Sequence, residues 1–92
     1  MAQVVWTAQA LGDLDSICDF TARNSERAAE FFAMDVFAAT ESLADFPKLG
    51  RVVEEVGGAY RELLVGNYRV IYRERVEIIT VHHGARRLPD SL

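Results

Sequence analysis

The chain has 92 residues, half of them hydrophobic, with 10 basic against 14 acidic side chains and a net charge of −4. That length implies one domain, 1–92, with a single modest core, and the negative balance disfavours indiscriminate binding to nucleic acid. No apolar run approaches the roughly 20 residues that span a bilayer. No signal-peptide pattern opens the chain, and the one cysteine, Cys18, excludes an internal disulfide and a cysteine-based metal site. A cytoplasmic protein with no membrane partner is expected.

Gln3-Val4-Val5-Trp6 is read as a short first strand. Thr7 follows as a helix N-cap, because its hydroxyl can accept from an unpaired amide of the first turn. Leu11, Leu14, Ile17, Cys18 and Thr21 recur at helical spacing, while Asp13, Asp15 and Asp19 mostly take other faces. On that stripe Cys18 reads as a small buried hydrophobe. Arg23-Asn24-Ser25 breaks the helix, and Ser25 caps a second one from about Glu26 to about Asp45. Its apolar stripe is Ala29, Phe32, Val36, Ala39 and Leu43, and Pro47 ends it. The short join predicts an antiparallel helix hairpin.

After a turn at Phe46-Pro47-Lys48-Leu49-Gly50, Val52–Val56 reads as a short edge strand or an extended loop. Three β-type segments follow Gly57-Gly58: Tyr60–Val65, Tyr68–Arg73 and Val76–His83. They are joined by Gly66-Asn67, whose residues tolerate positive φ, and by a break at Glu74-Arg75. The predicted class is α+β, ordered β-α-α-β-β-β(-β), with an antiparallel sheet packed against the helical hairpin.

Charge is divided unevenly. Residues 1–46 carry two arginines against eight carboxylates, a balance of −6; residues 47–92 carry eight cations against six carboxylates, a balance of +2. Arg69 and Arg73 share a strand face with Ile71, and Arg61 lies on the preceding strand, near Arg69 if the register allows. Two readings stand. One is a solvated face with surface ion pairs to Glu62, Glu74 and Glu77, each worth little. The other is an anion-recognition surface, since the planar guanidinium suits carboxylates and phosphates. His82 and His83 point opposite ways on a strand, so they do not chelate one metal together, and no metal or cofactor is expected. Asp13 with Asp15, and Glu54 with Glu55, read as solvent-facing charge. No nucleophile elbow or glycine-rich phosphate loop is present.

Trp6-Thr7, Ala10–Ile17, Leu43–Arg51, Tyr60-Arg61-Glu62-Leu63, Tyr68–Arg73 and Val81–Pro89, in this order and spacing, resemble the RelE/ParE superfamily of type II toxin–antitoxin toxins. The resemblance covers nearly the whole chain. It implies a toxin neutralised by a cognate antitoxin, and it allows a toxin homodimer inside a toxin–antitoxin heterotetramer. RelE-like members cut mRNA on the ribosome; ParE-like members lack nuclease residues and inhibit DNA gyrase. Arg69 matches an arginine kept in both branches. Only Arg61 stands on the preceding strand, and no tyrosine or histidine follows His83, so the close on Gly84-Ala85-Arg86-Arg87-Leu88-Pro89 is similar to the ParE branch. The resemblance therefore implies a non-catalytic gyrase inhibitor, with Arg61, Arg69, Arg73, Arg86 and Arg87 meeting antitoxin or target. The alternative is a metal-independent endoribonuclease using Arg69 with His82 or His83.

Overall fold

The computed structural model describes residues 3–56, 59–89 and 92. Along the chain run β1 (Val5–Trp6), α1 (Ala8–Ala22), α2 (Glu26–Glu41), a 3-10 turn (Ser42–Ala44), β2 (Arg51–Val52), β3 (Tyr60–Val65), β4 (Tyr68–Arg73) and β5 (Glu77–His83). The five strands form one sheet in the order β1-β5-β4-β3-β2. The class and element order are those predicted, with one difference: β1 lies parallel to β5, and the other pairs are antiparallel.

Local chemistry sets these boundaries. The Thr7 hydroxyl accepts from the Ala10 amide at 3.2 Å and donates to the Ile78 carbonyl at 2.7 Å, so one residue caps α1 and ties it to β5. The Ser25 hydroxyl accepts from the Ala28 amide at 3.1 Å and starts α2. α2 tightens into the 3-10 turn before Pro47 is reached. In the two-residue β3–β4 turn only Gly66 takes positive φ, at 58°, which suits the first position of a primed hairpin turn.

The β4–β5 connection differs from the expected Glu74-Arg75 break. It takes three residues, with Val76 as the third, at φ 57°. A β-branched residue rarely adopts this conformation. Val76 is wholly buried, its carbonyl accepts from the Val5 amide and its amide donates to Arg73, so packing and two backbone bonds hold it there. β2 is shorter than the Val52–Val56 segment considered for it, although the Val53 amide still reaches the Tyr60 carbonyl.

The hairpin covers one face of the sheet. Ala10, Val36, Leu43, Val70, Tyr72, Val76 and Ile78 meet there with no exposed surface. Tyr72 is satisfied inside that core: its hydroxyl donates to the Pro47 carbonyl at 2.7 Å and accepts from the Gly50 amide at 2.9 Å. Gly50 has to be small, because a Cβ there would run into the Glu62 carbonyl and lie 2.8 Å from the Tyr72 ring. The other face carries a second, smaller cluster of Val53, Ile71 and Leu88, with Tyr60 and Leu92 against it. Leu88 brings the C-terminal segment back over the sheet.

Candidate functional site

β4 alternates as its sequence predicts. Tyr68, Val70 and Tyr72 face the helices, while Arg69, Ile71 and Arg73 face the second cluster. The structure departs from the solvated-face reading at Arg69, whose side chain is only 9 % exposed. Its Nε donates to Glu62 at 2.6 Å. Its Nη1 and Nη2 donate to the two oxygens of Glu55 at 2.8 and 2.7 Å. The guanidinium is thus gripped on two edges, once by a fork-to-fork pair.

The two carboxylates differ in kind. Glu62 stands opposite Ile71 on β3, one diagonal step from Arg69, and its side chain is 1 % exposed. It also receives the Nε of the exposed Arg51 at 3.3 Å. Glu55 sits in the turn beyond β2, and its side chain is 54 % exposed. Hydrogen bonds to Glu55, and then to Glu62, hold Arg69 still more firmly protonated than a free arginine. In return the hydrogen bonds from Arg69 hold the Glu55 carboxyl below its ordinary value. Glu55 thus faces solvent, as read from the sequence, and is also committed to Arg69.

The other predicted arginines separate. Leu64, not Arg61, lies opposite Arg69. Arg61 is paired with Tyr72 and points to the helix-side face, where its Nε meets Glu74 at 2.9 Å and its Nη1 the Gly50 carbonyl at 2.8 Å. The register therefore does not bring Arg61 near Arg69. Arg73 lies over the Tyr60 ring at 5.0 Å and donates to its hydroxyl at 2.9 Å. Arg86 and Arg87 are exposed in the segment after β5.

His82 and His83 diverge as predicted. His82 lies across from Arg69 in the register, and its Nε2 is 3.2 Å from the Arg87 carbonyl. His83 Nδ1 accepts from the Ala85 amide at 3.0 Å, leaving Nε2 to carry the ring proton, and the ring packs edge-on to Tyr68 at 5.1 Å. No group of three metal-ligating side chains occurs among the described residues. A groove of about 620 Å³ between α1 and the end of β5 is lined by Ser16, Phe20, Tyr68, both histidines and Arg86. It brings His82, His83 and Arg86 together, while the Arg69 guanidinium is taken up by its own carboxylates.

Sequence reasoning missed Asp13. β1 pairs with β5 only as far as Ile78, so the edge of β5 is open beyond it. Asp13 reaches over from α1, accepting from the Thr80 hydroxyl and from the Val81 amide, the latter at 3.1 Å. Its spacing from the apolar stripe gives no sign of this; only the pairing of β1 with β5 does.

Residues 4–88 match the family described as the ParE toxin of the type II toxin–antitoxin system, parDE. The chain is 39 % identical over 90 residues to Toxin RelE2 of Caulobacter vibrioides, covering 94 % of this chain and 99 % of that one. It is 35 % identical over 79 residues to Toxin ParE1 of the same organism, covering 82 % and 81 %. Two helices on a five-stranded mixed sheet agree with that kinship, and no helix among the described residues is long and apolar enough to cross a membrane. The chain belongs to the ParE toxin family of type II toxin–antitoxin systems.

Proposed function

We propose that this single-domain toxin acts by binding rather than by catalysis, that its target is DNA gyrase, and that its antitoxin covers both the sheet and the helix hairpin. The observation that carries the reading is that the sheet arginines spend donors on acceptors within the protein. Arg69 spends its donors on Glu62 and Glu55, Arg61 on Glu74 and Gly50, and Arg73 on Tyr60. A nuclease needs a cation aimed at a phosphate whose charge develops during reaction; these cations are aimed at the protein's own acceptors. The net charge of −4 also works against a grip on ribosomal RNA.

Arg86, like Arg87, is an exposed cation of the closing segment, and Arg86 makes no ion pair among the described residues. We assign it, with Arg87, to target or antitoxin contact. Phe20, Phe31 and Met34 leave apolar surface exposed on the hairpin, which suits an antitoxin helix laid against it. The direct test is gyrase supercoiling with purified toxin. Loss of supercoiling with accumulation of cleaved DNA is expected, and undisturbed supercoiling at a molar excess of toxin refutes the proposal.

One arrangement favours a second reading, a ribosome-dependent endoribonuclease. His82, His83, Tyr68 and Arg86 share one groove, and one relative carries the RelE name. There a histidine would move the proton and Arg86 would face the phosphate. Cleaved messages that disappear on His83→Ala would establish it.

A further inference from the structure

We propose that the outer edge of the Arg69 guanidinium is a carboxylate-binding site, filled by Glu55 in the free protein and by an acidic side chain of a partner protein in the complex. The proposal rests on the reading that the antitoxin covers the sheet, and adds that its segment there is acidic and that the toxin carries its own competitor for the site.

The asymmetry of the two carboxylates carries the inference. Glu62 is enclosed in β3 and fixes Nε, whereas Glu55 is more than half exposed and holds Nη1 and Nη2 by its carboxylate. Two parallel bonds of 2.8 and 2.7 Å are the geometry a separate carboxylate ligand would adopt. Rotation of the Glu55 side chain opens the site without moving a strand. Arg69 keeps Glu62 throughout, so its charge is never left without a partner during exchange. Room for the incoming side chain lies alongside, in a hollow of about 400 Å³ lined by Arg51, Leu64, Asn67, Gly84 and Ala85.

Charge chooses the occupant. With Glu55 turned away, Arg69 and Arg51 face Glu62, leaving one positive charge for one carboxylate. A nucleic-acid backbone brings a charge at every step and would meet Glu54, Glu55 and Glu62 in a chain of net charge −4. An acidic peptide therefore fits better than a phosphodiester. The tethered competitor lowers the partner's apparent affinity by the fraction of time it occupies the site.

The test uses the full chain, an N-acetylated hexapeptide amide with one central glutamate among glycines as probe, and the Arg69 Nη–Hη resonance as reporter. Glu55→Gln is expected to tighten peptide binding by about 5–10-fold, the order of gain from removing a tethered competitor, with the Arg69 resonance moving along the titration. Glu54→Gln makes the same change in net charge one residue away and is expected to leave affinity within about twofold of wild type, as a screened surface charge should. Equal gains from Glu54→Gln and Glu55→Gln overturn the proposal, as does peptide binding that leaves the Arg69 resonance unmoved. A twelve-residue thymidine oligonucleotide gaining as much as the peptide from Glu55→Gln would make this a phosphate site and also overturn it. Should peptide bind wild type and Glu55→Gln equally yet weaken on Arg86→Ala, the exchange fails while the acidic-partner reading survives. Absence of binding to every variant sinks both.

Discussion

Arg69→Met removes the guanidinium and strands Glu62 at 1 % exposure. Breaking a buried ion pair from one side costs about 3–5 kcal/mol. The exposed Arg51, 3.3 Å from Glu62, recovers less than about 1 kcal/mol of that, as surface partners do. A net loss of roughly 3 kcal/mol follows, against a total of about 5–14 kcal/mol for a chain of this length. In a thermal melt that corresponds to a fall of about 12–24 °C. Glu62→Leu should cost less, about 1–3 kcal/mol, because Arg69 keeps a partner in Glu55. The double variant Arg69→Met/Glu62→Leu leaves neither charge stranded and should return to within about 1 kcal/mol of wild type, giving a coupling of at least about 2 kcal/mol. Urea melts of the four proteins measure the cycle. A cost under about 1 kcal/mol for Arg69→Met, or simple additivity, refutes the buried-pair account. Its functional corollary is practical: loss of toxicity on replacing Arg69 is uninterpretable until the variant is shown to be folded.

Tyr72→Phe leaves the Gly50 amide and the Pro47 carbonyl without their partner and should cost about 2–3 kcal/mol in a urea melt; a change below about 0.5 kcal/mol contradicts the role given to that hydroxyl. Asp13→Ala frees the Val81 amide and should speed its hydrogen exchange by about tenfold or more, as loss of roughly 1.4 kcal/mol of local protection requires. For Glu55 the folded carboxyl lies below its ordinary value of 4.5, chiefly through the hydrogen bonds from Arg69. The unfolded chain therefore takes up that proton first, so stability from the pair is complete above about pH 4.5 and is lost as pH falls through the lower folded value. The gap in melting temperature between wild type and Glu55→Gln should close as pH falls below about 4.5 and on through the lower folded value; a gap that widens on acidification gives the wrong sign and rejects the pairing.

The helix hairpin and the meander were legible because their signals are local. Thr7 and Ser25 announce helix starts, and the alternation of Tyr68, Val70 and Tyr72 against Arg69, Ile71 and Arg73 assigns the two faces of β4. What could not be read depended on pairings distant in sequence. The parallel placement of β1 on β5 leaves no trace in a strand of two residues. Register decides that Leu64 rather than Arg61 opposes Arg69, and a hairpin turn fixes register only once its type is known. The carboxylate read as solvent-facing charge, Glu55, meets Arg69 from fourteen residues away, so no spacing rule could pair them. Val76 reads as a strand residue by composition, and only the loop length shows it turning the corner at positive φ.

The central claim is that this toxin stops growth by engaging a target protein and does not cut RNA. Inducing the chain alone in a bacterial host, with parallel pulse-labelling of DNA and protein synthesis, tests it most directly. Early loss of DNA synthesis with a DNA-damage response, while protein synthesis continues, is the predicted result. Early loss of protein synthesis with intact DNA synthesis would contradict it and pass the working role to the groove holding His82, His83 and Arg86.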